Sequence, residues 1–331
     1  VLQIELPTIG HHIALFHHVP ETKKFIEPVI VCHGLGANRF NMDFSYDGQG
    51  GDRISLARTL AKKGFDVWVL ELRGRGRATV PRRANWSVDD EVREDLPRAI
   101  ETVIDLTGAD GVLWVGHSKG SLLQYLLQAE QLPAASKVKG MVAIGSPGTF
   151  QYQRRDLQML MNWGRFFAIR GRKVPLSLVA KLGIPIASFV YFVGKRTLPV
   201  IAAIDVGILR RIMASLAADI APGVMHQFAD WFRNGGVLTK QDGTRYDESF
   251  SNITLPMLLI AGSADFLAPP ASVQFVLDRV ASKDKTLVVM GKENGCAVDY
   301  GHGDLVIGHH APDEVFPRVT AWLEGHATPA T

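Results

Sequence analysis

The chain has 331 residues, of which 47% are hydrophobic and 21% charged, with a formal net charge of +3. That length can bury one large core or two modest ones, and the composition excludes a disordered chain. So small a charge does not imply nucleic-acid binding.

Taken in order, apolar and amphipathic runs alternate. Residues 13–16 read as an early antiparallel strand, and 28–32 as a buried strand followed by the loop His33-Gly-Leu-Gly-Ala-Asn38. A helix over 52–63 leads to a strand over 65–71, a turn at 73–77 and a helix within 88–106. Residues 111–115 have the length and composition of a short buried strand. The run from Ser121 to Glu130 spaces its leucines for one face of a helix. After a strand over 140–145 the rhythm breaks: residues 150–250 show helical apolar spacing and frequent Gly and Pro, but no strand. Alternation resumes with a strand over 255–261, a helix near 271–280, a strand over 286–290 and a helix over 312–324. Repeated strand–helix units predict an α/β protein, a mostly parallel sheet with helices on both faces. Residues 1–149 and 251–331 form its core, and 150–250 a helical cap or lid.

Cys32 and Cys296 give no disulfide framework and read as buried structural thiols, and no cluster has metal-ligand spacing. Residues 151–200 hold nine Lys or Arg (Arg154, Arg155, Arg165, Arg170, Arg172, Lys173, Lys181, Lys195, Arg196) against one acid, Asp156. Such a stretch is either a solvated basic face or an attraction for an anionic substrate or a lipid surface. Residues 174–194 are apolar over nearly a membrane-spanning length, but Pro175, Lys181 and Pro185 interrupt them, which suits a lid over an apolar cleft. With no signal peptide visible, the expected location is cytoplasmic; the initial Val leaves export open.

The chemistry centres on Gly116-His-Ser-Lys-Gly120. A G-x-S-x-G run between a strand and a helix places the Ser118 hydroxyl on a sharp turn above the sheet edge. Serine needs a base, and the base a carboxylate to fix its tautomer. Asp265, in the loop directly after the 255–261 strand, is the expected acid; Asp304 and Glu293 are less well placed. Among eleven histidines, His302 lies in a glycine-flanked loop after the last strand and is the expected base. His11, His12, His17 and His18 suit the N-terminal strand region, His226 falls in the insertion, and His309 and His310 lie near the final helix. The side chain of His117 is expected to point away from Ser118. The order Ser118, Asp265, His302 suits a hydrolase triad. The tetrahedral oxyanion needs backbone donors, for which Lys119 N–H and Leu35 N–H are the candidates, with Gly34 or Gly36 as alternatives to Leu35.

These residues resemble the α/β-hydrolase superfamily over nearly the whole chain. Several segments resemble its acid-lipase branch: His33–Asn38, Asp66-Val-Trp-Val-Leu-Glu-Leu-Arg-Gly74, Trp86-Ser87 with Asp95-Leu-Pro97, Gly116–Gly120, Tyr246-Asp-Glu-Ser249 before Leu255-Pro256, and Gly301-His-Gly-Asp304. The resemblance implies a lid-covered serine esterase or lipase that acts on small ester or lipid substrates without a cofactor, with Ser118, Asp265 and His302 as nucleophile, acid and base. Contact with a lipid surface would run through the basic lid. Lys119 departs from the pattern, standing where a neutral residue such as Met or Gln is more usual. A cation there could serve the oxyanion region, bind an acidic substrate group, or point away. Apolar lid segments such as Val190-Tyr-Phe-Val193 and Phe228-Ala-Asp-Trp-Phe232 are expected either to bind an acyl chain or to pack as core. Acyl transfer or a polyester-related hydrolysis on the same triad is the alternative activity, and a non-catalytic binding protein the weaker one.

Overall fold

The computed structural model describes residues 2–7, 11–44, 54–78, 85–152, 165–166, 168, 173–188, 191 and 204–330. Its centre is an eight-stranded sheet in the order β1-β2-β4-β3-β5-β6-β7-β8. The strands are β1 (Leu2–Leu6), β2 (His11–His18), β3 (Val29–Cys32), β4 (Val67–Glu71), β5 (Val112–His117), β6 (Val138–Ile144), β7 (Met257–Gly262) and β8 (Lys285–Met290). β1 and β2 pair antiparallel, and β2 joins β4 antiparallel. Every pairing from β4 to β8 is parallel. Strand β1 was not expected, because its alternation runs for only five residues, with Ile4 and Leu6 turned inward and Leu2 outward.

The central strands are apolar at consecutive positions because both sheet faces are covered. Val29, Val31, Val67, Val69, Val115 and Ile144 face one cluster, closed by α1 (Leu56–Lys62) and a C-terminal helix (Phe316–His326). Ile30, Cys32, Trp68, Leu70, Trp114 and Met141 face the other. That side is closed by α2 (Leu96–Thr107), α3 (Lys119–Ala129) and, after the insertion, a helix over Pro270–Arg279. The fold is therefore the α/β architecture that the alternating pattern predicts.

Two helices differ from expectation. The segment before α2 is a short helix, Val88–Asp90, then a π turn, Glu91–Asp95. Pro97 has no N–H to give Arg93 and its ring crowds that carbonyl, so the chain widens just ahead of it. The final helix is two pieces, Ala311–Glu314 and Phe316–His326, the second with proline in its first turn.

Between β6 and β7 the described residues hold helices and isolated bridges: α4 (Leu176–Gly183), a helix over Val206–Arg211 followed by a π turn, and α5 (Pro222–Arg233). This stretch lies directly on the loop after β3. Ala218 N–H donates to Gly36 C=O at 2.8 Å, and Leu176 packs over Gly36. The helix expected over 52–63 starts at Leu56, where Ser55 caps it by accepting Arg58 N–H; residues 52, 154–156, 170, 172, 190, 192, 193, 195 and 196 lie outside the described residues, so most of the basic stretch is not placed.

Candidate active site

Strand β5 ends at His117 and α3 begins at Lys119, so Ser118 alone turns the chain. Its φ of 54° and ψ of −121° lie in a sparsely populated region that costs ~1–3 kcal/mol and persists only where neighbours impose it. Here Ser118 N–H donates to Ile144 C=O at 2.8 Å. Ser146 Oγ donates to Ser118 C=O at 2.9 Å, and Ser121 Oγ to Gly116 C=O at 2.6 Å. The turn also requires both glycines by close approach. A Cβ on Gly116 would lie 2.4 Å from Ser121 N, and one on Gly120 2.4 Å from Cys32 O.

Asp265 follows β7, and His302 stands in the loop after β8. His302 Nδ1 and Asp265 Oδ2 are hydrogen-bonded at 2.8 Å. The second carboxylate oxygen accepts the N–H groups of Leu267 and Ala268, both at 2.8 Å. Burial alone would raise the Asp265 pKa. The charge and hydrogen bond of His302, with the two N–H donors, outweigh it and hold the carboxyl below its usual range. The pair lies beside the serine turn. Gly145 follows the Ile144 whose carbonyl takes Ser118 N–H, and a Cβ on Gly145 would be 3.3 Å from Asp265 Oδ2 and 3.4 Å from His302 Nδ1. The carboxyl ends of β5, β7 and β8 thus carry Ser118, Asp265 and His302, and Gly145 after β6 borders the Asp265–His302 pair beside the serine turn, at the edge where an open α/β sheet gathers reacting groups.

The competing residues have other partners. Asp304 accepts Gly301 N–H at 3.1 Å and braces the His302 loop, while Glu293 is exposed. His309 pairs with Asp205 at 3.2 Å, and His18 with Asp43 at 3.2 Å. His17 pairs with Asp66 and stacks on Trp68. Buried His11 leans on Trp86, and His226 lies on α5.

The loop after β3 abuts the serine: a Cβ on Gly34 would lie 3.2 Å from Ser118 Cβ. Gly34 N–H donates to Asn41 Oδ1 at 3.0 Å, which commits one of the alternative oxyanion donors. Lys119 opens α3, so its N–H has no partner within the helix. Its side chain points away from solvent. The ammonium is fully buried, 2.5 Å from Glu91 Oε2.

Two further residues belong to this constellation: His117, which the sequence set aside as pointing away from Ser118, and Asn41, of which it gave no reading. His117 Nδ1 lies 2.9 Å from Asn41 Oδ1 and its Nε2 3.0 Å from His302 C=O, two acceptors of which a neutral ring donates to one. Its ring centre is 4.7 Å from that of His302. Asn41 thereby joins the Gly34 N–H to His117, and His117 holds the His302 loop. The position of His117 before the serine was visible; Asn41, in a short 3₁₀ turn at Arg39–Asn41, carried no signal.

The aromatic run on α5 is core packing. Trp231 is fully buried, donates to Thr239 C=O at 2.7 Å, and joins Phe228, Phe232 and Phe150 in one ring cluster. Of 190–193 only Tyr191 is described. Both cysteines are buried free thiols.

A family model described as "alpha/beta hydrolase fold" matches residues 27–182. A lipase of Caenorhabditis elegans, lipl-1, is 23% identical over 95% of this chain and 86% of its own length. Gastric triacylglycerol lipase of Rattus norvegicus is 24% identical over 97% and 88% respectively. Among solved structures, a thermophilic esterase from Thermogutta terrifontis aligns over 99% of this chain and 100% of its own, with a TM-score of 0.63 and 16% identity.

Proposed function

We propose that this chain, whose fold is that of the α/β hydrolases and whose sequence is similar to lipases, hydrolyses carboxylic esters through a Ser118–His302–Asp265 triad and an acyl-enzyme. The observation that carries this reading is the 2.8 Å bond between Asp265 and His302 Nδ1, made beside a serine held at φ 54°. With Nδ1 committed to an ionised carboxylate, Nε2 is the nitrogen left to take the serine proton. Ser118 attacks the ester carbonyl as His302 removes its proton. The N–H groups of Leu35 and Lys119 receive the oxyanion, each such donor contributing about 3 kcal/mol of transition-state stabilisation. The imidazolium then protonates the departing alcohol. Water attacks the acyl-enzyme with His302 again as base, and Ser118 is released with a carboxylic acid.

Residues 150–250 act as the lid in this reading, and their contact with the loop after β3 supports it. A lipid surface is the proposed docking partner of α4, whose Leu178, Val179 and Leu182 are more than half exposed beside Lys181. The decisive experiment is a p-nitrophenyl ester series on the protein and on Ser118→Ala, with mass spectrometry after a phosphonate inhibitor. Turnover across part of the series, lost in Ser118→Ala, and one adduct on Ser118 are expected. Turnover that survives the alanine, or an adduct elsewhere, would overturn the assignment.

A further inference from the structure

Lys119 puts two demands on one residue. Its N–H must face the reaction, and a group that stays unbonded to receive an oxyanion cannot be held by a hydrogen bond of its own. Around it the turn is well fixed: Ser118 by Ile144 and Ser146, Gly120 C=O by Trp114 Nε1 at 3.1 Å, and Ser121 by Gly116. The Lys119 N–H shares its peptide with the Ser118 C=O, whose end is held by Ser146 Oγ at 2.9 Å and by the Ser121 and Leu122 N–H groups, both at 3.1 Å; the other end, at the Lys119 Cα, is held through the lysine side chain.

That side chain ends in a fully buried ion pair. Lys119 Nζ lies 2.5 Å from Glu91 Oε2, and Trp86 Nε1 donates to Glu91 Oε1 at 3.3 Å. Glu91 opens the π turn Glu91–Asp95, a backbone irregularity often found at functional sites. The far end of the same turn is anchored equally firmly, because Asp95 takes the Arg73 guanidinium at 2.7 Å and Arg73 N–H at 3.1 Å. The turn's N-terminal approach is tied to α5 of the cap: Val88 N–H donates to Gln227 Oε1 at 2.9 Å, and Asp89 accepts Gln227 Nε2 at 2.6 Å. Glu91 therefore offers a rigid point of attachment. Burying two charges is costly, and a well-packed apolar pair of similar volume serves stability as well or better. Stability does not explain why this pair stands behind the serine turn.

We propose that Glu91 and Lys119 are a positioning pair for the oxyanion site, the buried carboxylate fixing the lysine side chain and through it the direction of the Lys119 N–H. This rests on the triad reading above. Neither side chain touches the substrate; both act through the peptide between Ser118 and Lys119.

The test is the double variant Glu91→Met, Lys119→Met, assayed for melting temperature, kcat and KM on p-nitrophenyl butyrate, with Ser118→Ala alongside. Removing both charges avoids stranding either one. The expected result is a folded protein with a lowered melting temperature, because Trp86 Nε1 loses its acceptor and buried Arg75 loses a facing carboxylate, an unchanged KM and a kcat lower by about tenfold to a hundredfold, the scale of a small misplacement in a preorganised site. A folded double variant with full kcat would overturn the proposal. If the double variant does not fold, Glu91→Asp decides. It keeps the charge but withdraws the carboxylate by one methylene, so it should lower kcat at constant KM; full kcat would overturn the proposal. Ser118→Ala separates the two readings. Residual turnover there defeats the triad, whereas a dead Ser118→Ala beside a fully active double variant defeats only the positioning pair.

Discussion

Asp265 spends its two oxygens differently, one on the His302 ring and one on the Leu267 and Ala268 N–H groups. In the proposed triad only the first has a catalytic consequence, since an ionised carboxylate is a pure acceptor and forces the proton onto Nδ1. Asp265→Asn keeps an oxygen for the two backbone donors but presents an amide to the imidazole. The fold should survive with a melting temperature close to the parent's, while kcat falls by ~10⁴-fold through the wrong tautomer. Steady-state kinetics on a short soluble ester, paired with a thermal melt, check this. A variant retaining a tenth or more of kcat would show that Asp265 orients nothing essential. Ser118, Asp265 and His302 were legible in sequence as candidates because each follows a strand whose apolar run announces itself. Asn41 and Glu91 were not, because each acts through a contact distant in the chain: Asn41 meets His117, and Glu91 meets Lys119.

At the scale of elements, the parallel strands were readable because burial on both faces makes them continuously apolar. The edge was less so: Leu2–Leu6 is half exposed, and its signal is weak. Prolines explain the other departures, since Pro97 and Pro317 change the path of helices whose apolar spacing runs on across them. The insertion posed a different problem. Helical spacing there could mean lining or core, and packing divides the cases: Trp231 on α5 is enclosed by aromatic rings, whereas α4 buries none of its residues. An apolar helix left open beside a cation is suited to lie in a lipid interface. Replacing Leu178 and Leu182 by Glu should weaken sedimentation with anionic vesicles at least tenfold and leave turnover of a dissolved short-chain ester within about twofold, because single surface changes rarely move stability by more than ~0.5 kcal/mol. Equal vesicle binding by parent and variant would remove α4 from that role.

Across the whole molecule, the site depends on imidazoles that stay neutral inside the fold. His33 accepts Leu72 N–H at 3.3 Å beneath the loop after β3, and His117 sits between two acceptors, Asn41 Oδ1 and the His302 carbonyl, donating to one of them. Burial, reinforced at His33 by Lys119 and Arg75 and at His117 by His302, pushes both pKa values down to about 3. In the unfolded chain the same rings take a proton near pH 6.5. Between those values the unfolded state binds more protons, so stability falls as the solution is acidified, by about 1.4 kcal/mol per pH unit for each ring. Asp265 acts in the same sense at lower pH. Its folded pKa is depressed, so its contribution is complete above the unfolded value near 3.9 and is lost as pH falls through the folded one. The denaturation midpoint should therefore be nearly level from about pH 8 to 7 and drop steeply from about pH 6 to 4. His117→Gln, which cannot titrate, should lower the midpoint at pH 7 and shrink the difference between pH 7 and pH 4.5. A midpoint that does not move with pH in the parent protein would mean that these rings accept their protons without leaving the fold, and that the support beneath the loop after β3 and the His302 loop tolerates charge.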